Sequence, residues 1–429
     1  MTVPPAPTEP SVPTLLLTIT GPDRPGVTTA LMSAVCADGE RDLAVVDMEQ
    51  VVVRGRLVLG VLLAATRVIT DPADDPIGAS QARLTTAAQT AQQVADDLGM
   101  HLEASTGWGD PVAQHTGRVV VTVLGQPLTP SAVGGMTAQI TEAGANIDRI
   151  TRLAAYPVTA VRLHLSGGDA GVLRPTLATA AARLGVDVAV EPAGLHQRAR
   201  RLVVLDVDST LVQGEVIEML AARAGVQQKV AEVTEAAMRG ELDFAASLRA
   251  RVALLAGLRE SAIDEVRGEL ALTPGARTLL RTLKRLDYRV GIVSGGFTQI
   301  TDHLAGDLGL DYSLANTLEV ADGRLTGGLI GPVIDRAAKA DALRRFAAEA
   351  GVPLSQTVAI GDGANDLDMI AAAGLGIAFN AKPVVRAAAD AAVSVPYLDS
   401  VLYLLGVSRE DVEAADSAEG APTPSPPLG

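Results

Sequence analysis

Two apolar runs in the first half of the chain open in the same way. Leu15-Leu16-Leu17-Thr18-Ile19-Thr20-Gly21 and Val119-Val120-Val121-Thr122-Val123-Leu124-Gly125 are aliphatic stretches of strand length that stop at a glycine. Each leads through a turn into apolar positions spaced for one face of a helix, over residues 27–37 and 132–143. Two β-rich segments follow, split by Arg54-Gly55 in the first copy and by Tyr156-Pro157 in the second. A second helical stretch comes next in each, at about 77–98 and 171–184. The order reads β-α-β-β-α-β twice, a ferredoxin-like plan repeated. The copies are expected over 14–106 and 116–195, with residues 104–114 as the link between them.

After about residue 200 the pattern changes. Short apolar strands now alternate with helical stretches, and strands are expected at 201–205, 289–293, 357–360, 375–379 and 391–395. This alternation predicts an α/β domain over 200–408, a doubly wound parallel sheet covered by helices on both faces. Ligands of such sheets sit at the carboxyl ends of the strands. Two segments break the alternation. Residues 214–272 are helical almost throughout and read as a cap inserted between the first two strands. Residues 316–333 read as a hairpin turning at Asp322-Gly323. The two ends, 1–13 and 416–429, are proline-rich or small and polar, and are expected to be disordered tails.

Composition leaves the architecture alone but narrows the function. Aromatics are only 2% of the chain against 48% hydrophobic residues, so its cores are aliphatic, which suits a helix-rich α/β fold. The formal net charge of −15 argues against nucleic acid or an anionic membrane as a partner. It also repels an anionic substrate, so a phosphate site needs local positive charge from a metal, Arg, Lys or backbone N–H groups. Cys36 is the single cysteine, which excludes an intrachain disulfide and a cysteine-rich zinc site. His101, His115, His164, His196 and His303 have no metal-ligand spacing. The first residues lack the features of a secretory signal, and the apolar run at 57–65 is too short to span a bilayer, so a cytoplasmic protein is expected.

Candidate chemistry gathers at the ends of the expected strands. Asp206 and Asp208 follow the first, in Leu205-Asp206-Val207-Asp208-Ser209-Thr210. At spacing i, i+2 on an extended chain both side chains point the same way, and two such carboxylates repel unless a cation or a proton is shared. Ser294 follows the second strand, with Gly295 and Gly296. A hydroxyl with glycine N–H groups there suits either a phosphoryl oxygen or an ordinary helix cap. Gly361-Asp362-Gly363-Ala364-Asn365-Asp366 follows the third. Its oxygen-rich side chains suit a hard cation such as Mg²⁺, or an Asx-rich turn capping the next helix. Lys339, in a helical stretch after Asp335, reads alone as a solvated lysine.

The order of these elements is more telling than any one of them. Asp206–Thr210, Ser294, Lys339 and Gly361–Asp366 together resemble the four motifs of the haloacid dehalogenase superfamily of phosphatases, across the whole second half. Glu215 in the cap, Arg251 in Phe244-Ala245-Ala246-Ser247-Leu248-Arg249-Ala250-Arg251, and the hairpin with Asn316 resemble the phosphoserine phosphatase family in particular. Arg249 and Arg259 lie nearby, so the choice of Arg251 rests on the resemblance. In the first half, Gly21-Pro22-Asp23-Arg24-Pro25-Gly26-Val27 resembles the strand-to-helix loop of ACT domains, amino-acid-sensing modules. The second copy reads Gly125-Gln126-Pro127-Leu128-Thr129-Pro130 there and lacks the Asp-Arg-Pro-Gly.

The resemblance implies hydrolysis of O-phospho-L-serine to L-serine and phosphate, the last step of serine biosynthesis, with Mg²⁺ as cofactor. Asp206 would be the nucleophile and Asp208 the general acid/base. The metal would be held by Asp206, the Asp208 backbone carbonyl and Asp362, with Asp366 ordering its loop or touching the metal. Lys339, Ser294, Gly295 and Asn365 would hold the phosphoryl group or substrate, Glu215 its ammonium and Arg251 its carboxylate. Asp23, Arg24 and Gly26 would hold a regulatory amino acid such as L-serine, or else the copies serve only as dimerisation scaffolds in a homodimer. The alternatives are a phosphatase or phosphotransferase for another small phosphate such as phosphohomoserine, and an amino-acid-sensing regulator with an inactive phosphatase half.

Overall fold

The computed structural model describes residues 13–35, 43–65, 76–108, 117–194, 199, 201–239 and 241–421. The chain divides into two units, Met1–Gln114 and His115–Gly429.

The first unit runs β1 (Pro13–Pro22), α1 (Val27–Val35), β2 (Leu43–Val53), β3 (Arg56–Ala65), α2 (Pro76–Asp97) and β4 (His101–Trp108). Its sheet has the order β2-β3-β1-β4, the ferredoxin-like arrangement expected from the pattern. Alternate residues Leu15, Leu17 and Ile19 of β1 are buried against Leu31 of α1 and against Leu84, Ala87, Ala91 and Ala95 of α2, which form one helix stripe. Arg54 and Gly55 turn the hairpin with positive φ of 48° and 72°. Residues 104–108 are not part of a link. They belong to β4, which pairs with β1 from Thr20↔His101 to Pro13↔Trp108. Without them that edge of β1 would leave its backbone groups unpaired.

The second unit begins with the same plan: β5 (Val119–Gly125), α3 (Pro130–Glu142), β6 (Asn146–Ala154), β7 (Thr159–Ser166), α4 (Ala170–Leu184) and β8 (Asp187–Pro192). Thr129 caps α3 by accepting from the Ala132 N–H, Asp169 caps α4, and Gly185 ends α4 in the left-handed region. Next come β9 (Leu202–Leu205) and the cap helices α5 (Val216–Ala224), α6 (Gln227–Met238), α7 (Phe244–Ala253) and α8 (Ser261–Glu269). The chain then returns through α9 (Ala276–Arg285), β10 (Arg289–Phe297) and α10 (Thr298–Leu308). The hairpin β11 (Tyr312–Ala321) and β12 (Arg324–Ile330) turns at Asp322 and Gly323, both with positive φ. It leads to α11 (Arg336–Glu349), β13 (Thr357–Gly361), α12 (Leu367–Ala372), β14 (Leu375–Phe379) and α13 (Pro383–Ala388). The described chain closes with β15 (Ala391–Val393), α14 (Val401–Leu404) and α15 (Arg409–Ala418).

Strands β11, β10, β9, β13, β14 and β15 pair in parallel in that order. All four residues of β9 are buried, and β9 lies between β10 and β13. Connections leave its two sides in opposite directions, which opens a crevice at its carboxyl end.

The second ferredoxin-like copy does not stand apart as the sequence suggests. Its edge strand β8 pairs antiparallel with β15 at Ala189↔Ala391, so one sheet of eleven strands runs through both parts. Asp187 of β8 accepts from the Ser394 N–H at 2.6 Å and from Arg386 at 3.3 Å, and Arg174 of α4 pairs with Asp390 at 2.8 Å. Leu153, Ala154, Val158 and Ala160 are buried in the same core as β9 and α9.

The expected C-terminal tail is also shorter than its composition implies. Ser408 caps α15 by accepting from the Asp411 N–H, and Asp416 is fully buried, pairing with Arg281 at 2.6 Å and Arg285 at 2.5 Å. Residues 1–12 and 422–429 of the expected tails lie outside the described residues, and Pro13 begins β1. Among the described residues no helix is long and apolar enough to cross a membrane.

Candidate active site

Four loops meet at the crevice beyond β9. The first begins at Asp206, whose N–H donates to the Ile360 carbonyl of β13 and whose Oδ1 accepts from the Val207 N–H at 2.7 Å. A tight turn over Val207–Leu211 follows, with Asp208 extended (φ −63°, ψ 131°) and Ser209 at φ 57°. Asp208 borders the same cavity as Asp206 but takes different partners. The Oδ1 of Asp208 accepts from the Val216 N–H at the start of α5 at 2.8 Å, and its Oδ2 accepts from the Ser294 hydroxyl at 3.2 Å. Ser294, completely buried after the regular part of β10, in turn accepts from the Gly296 N–H at 2.7 Å.

Lys339 overturns the reading a lone helical lysine invites. Asp335 caps α11 by accepting from the Ala338 N–H, which orients the first turn. The lysine one residue on is completely buried, with Nζ 2.8 Å from Asp206 Oδ1 and 2.6 Å from Asp366 Oδ1. The other oxygen of Asp366 accepts from the Gly363 N–H at 3.0 Å. Gly361 is required here, since a Cβ on it would lie 2.5 Å from the Asp366 carboxyl group. Thr210 donates to Asp362 Oδ1 at 3.1 Å, tying the first loop to the third.

One carboxylate oxygen from each of Asp206, Asp362 and Asp366 lies within 4.8 Å of the others. One ammonium faces these three carboxylates, so negative charge is in excess. Burial and the Asp366 charge push Asp206 well above the usual carboxylate range and Asp362 up to about 6. Burial draws Lys339 down, but the charges of Asp206 and Asp366 outweigh it and keep it an ammonium. Asp208 is pushed up to about 7, by burial first and by the Glu215 charge second.

These groups border a cavity of about 550 Å³ between the sheet and the cap, lined by Asp206, Asp208, Glu215, Arg251, Gly295, Asp362 and Asn365 among others. Ser294 and Lys339 stand behind that wall and hold the two aspartates. Ser209 donates to Glu215 at 3.2 Å. Arg251, on α7, is pushed below the usual guanidinium range by burial, and its Nε is buried with no hydrogen-bond partner among the described residues. An orphan buried donor in a cavity wall suits an anionic ligand. Phe244, Leu242 and Lys382 are among the lining residues that the sequence pattern does not single out. Phe244 caps the Gly295 side, its ring 3.1 Å from where a Gly295 Cβ would lie. Leu242 joins it from the cap. Lys382 precedes Pro383 after β14, a cation at a parallel strand's carboxyl end, and that position is the available signal.

In the first unit, Asp23, Arg24 and Gly26 border a separate hollow of about 270 Å³, with Thr28 and Gln50, which hydrogen-bond to each other at 2.7 Å. The Arg24 guanidinium donates to the Leu98 carbonyl.

The comparisons agree with this geometry. The haloacid dehalogenase-like hydrolase family matches residues 203–371, and two ACT domain families match 13–104 and 117–191. The chain is 61% identical to the phosphoserine phosphatase of Streptomyces coelicolor, over 95% of each chain. It is 51% identical to a phosphoserine phosphatase of Mycobacterium tuberculosis, over 94% of this chain and 96% of that one. Among solved structures, a probable phosphoserine phosphatase from Vibrio cholerae aligns with a TM-score of 0.55 and 37% identity, covering 72% of this chain and 90% of that one. The chain therefore belongs to the phosphoserine phosphatases, haloacid dehalogenase-like hydrolases, and carries two ACT domains in front of its hydrolase domain.

Proposed function

We propose that the chain hydrolyses O-phospho-L-serine through an aspartyl-phosphate on Asp206, with Mg²⁺ as cofactor. Phosphate monoesters are among the slowest substrates to hydrolyse unaided, with accelerations of up to ~10²¹ on record, so several effects must act together. The observation that carries the reading is the division of labour between the two aspartates in one cavity. Lys339 holds Asp206 Oδ1 at 2.8 Å and keeps the carboxylate aimed along the end of β9. Asp208, raised to about 7, is poised to give a proton to the departing serine oxygen and later to take one from the attacking water. Ser294 and the Val216 N–H fix the Asp208 carboxyl group for that role. The orphan Arg251 donor suits the substrate carboxylate, and Glu215 its ammonium.

The crowded donor set fits a hard cation with oxygen ligands, since its charge would relieve the mutual repulsion of Asp206, Asp362 and Asp366. Asp206, Asp362 and the Asp208 backbone carbonyl would hold it. Asp366 has one oxygen on Lys339 and the other on the Gly363 N–H, which favours the loop-ordering role. Bound there, Mg²⁺ would offset the charge between the carboxylate nucleophile and the phosphoryl group. Asn365 and the Gly295 backbone face the same space and would contact the phosphoryl oxygens.

The reading extends to regulation. The hollow at Asp23, Arg24 and Gly26 is sized for a small amino acid such as L-serine. Edge strand β2 exposes Val45, Met48, Val51 and Val53, an apolar edge that pairing with a second copy would cover.

The test is phosphate release from L-phosphoserine with and without Mg²⁺, and with and without L-serine. Asp206→Asn should abolish turnover without unfolding the protein. Near-parental turnover by that variant would remove the nucleophile assignment.

A further inference from the structure

We propose that Lys382 is a substrate-recognising residue of the catalytic cavity, which takes the dianionic phosphate end of the substrate as it enters. The proposal rests on the phosphoserine reading above. Charge at the cavity frames the problem. Asp206, Asp208, Glu215 and Asp362 all line it, and the chain as a whole carries −15. Phosphoserine at neutral pH is itself a net anion, with a phosphate, a carboxylate and one ammonium. It must cross that field before any buried group can hold it.

Three cations belong to the site, and two of them are unsuited to this task. Lys339 is completely buried and shared between Asp206 and Asp366, so its charge is already matched. Arg251 is largely buried in the cap wall, its charge facing Glu215 and Asp208. Lys382 alone among the described cavity-lining cations is exposed to solvent. It is therefore the group an incoming anion meets first, and the one whose charge reaches into solution.

Its place is built into the fold. Asn380 takes φ 45° and donates its N–H to the Val393 carbonyl at 2.8 Å, which turns the chain back just after β14. Lys382 then stands as the residue before α13, with Pro383 setting the first helical position. The other end of α13 is clamped, since Arg386 meets Asp187 at 3.3 Å and Asp390 meets Arg174 at 2.8 Å. The lysine stem thus rises from a backbone fixed on both sides, at the carboxyl end of a parallel strand. A flexible ammonium on a fixed base suits capture of a phosphate without a demand for one geometry.

The experiment compares the full-length parent, Lys382→Ala, Lys382→Arg and Lys229→Ala, by kcat and KM for L-phosphoserine at low and high ionic strength. Lys229 is an exposed lysine of α6 that does not line the cavity, so it controls for net charge alone. Lys382→Ala should lower kcat/KM about three- to tenfold at low salt, with the loss mainly in KM, and the difference should shrink toward parity at ~0.5 M salt as screening removes the steering. Lys382→Arg should recover most of the loss, and Lys229→Ala should match the parent. If Lys382→Ala matches the parent at low salt, or if Lys229→Ala loses as much, the assignment is wrong while the phosphoserine reading stands. If the parent itself does not release phosphate from phosphoserine, both fall.

Discussion

Replacing Lys339 by Met tests how much of this site is held together by one buried charge. The ammonium makes two charge-assisted contacts, 2.8 Å to Asp206 and 2.6 Å to Asp366, and all three groups are buried. Each such contact is worth roughly 1.5–3 kcal/mol, and breaking a buried pair by removing one partner typically costs about 3–5 kcal/mol. Methionine fills most of the lysine stem's volume, so cavity formation adds little. What remains is three facing carboxylates with no counter-charge. They respond by binding protons, which limits the penalty. The lower part of the range, about 3 kcal/mol, is therefore the expected destabilisation near neutral pH without divalent ions. For a unit of about 300 residues that corresponds to a drop of roughly 4–6 °C in melting temperature. The proton argument fixes the direction with pH. The orphaned carboxylates have folded-state pKa values above their unfolded ones, so the variant's deficit should shrink as pH falls toward 5 and grow as pH rises past 7. Adding Asp366→Asn to Lys339→Met removes one of the repelling charges and should recover part of the loss. Differential scanning calorimetry at pH 5, 6, 7 and 8 with chelator present measures all of this. A melting temperature within about 1 °C of the parent at every pH would refute the claim that Lys339 neutralises Asp206 and Asp366.

Three further outcomes follow from the same geometry. Proton competition at Asp362, raised to about 6, should weaken apparent Mg²⁺ affinity below that pH and let it level off above, which calorimetric titration from pH 5 to 8 can follow. Arg251→Ala should raise KM for phosphoserine by roughly tenfold or more and narrow the preference over a substrate without the carboxylate, such as phosphoethanolamine, since a charged hydrogen-bonded contact is worth about 1.5–3 kcal/mol; an unchanged preference counts against the carboxylate role. Asp416→Ala should lower stability by about 1–3 kcal/mol in chemical denaturation, because Arg281 and Arg285 both lose a partner but keep some access to water; no shift would mean that the C-terminal helix adds nothing.

The sequence carried the hydrolase domain almost completely. Each strand-end motif sits next to a four- or five-residue apolar run, and in a parallel sheet that placement converts directly into a shared site. Lys339 was illegible without the resemblance. Nothing in its helix distinguishes a solvated lysine from a buried one, because the two carboxylates that hold it come from positions 206 and 366. Burial of Ser294 behind the cavity wall was equally hidden, since a strand-end serine reads the same whether it faces the ligand or the neighbouring aspartate. The C-terminal helix was missed for a different reason. Composition near residue 416 is small and polar, and what orders the segment is a buried ion pair with α9, more than 130 positions away.

Fusion of the second ACT domain to the hydrolase sheet is the feature that no local pattern could announce, and it bears on how the halves work together. Register between β8 and β15 is set by a single residue pair, Ala189↔Ala391, which is too little backbone pairing to hold two domains. Side chains do the rest. Asp187 is buried and its carboxyl group is raised by that burial, a cost offset by the Ser394 N–H and by Arg386. Apolar positions 153, 154, 158 and 160 then close the seam as part of the hydrolase core. A polar clamp around a short strand pairing, backed by a shared core, fixes orientation more than it adds stability. The clamp engages α13, the helix that Lys382 precedes at the catalytic cavity and that packs against the second ACT domain. That one six-residue helix therefore borders both the catalytic cavity and the seam with the second ACT domain.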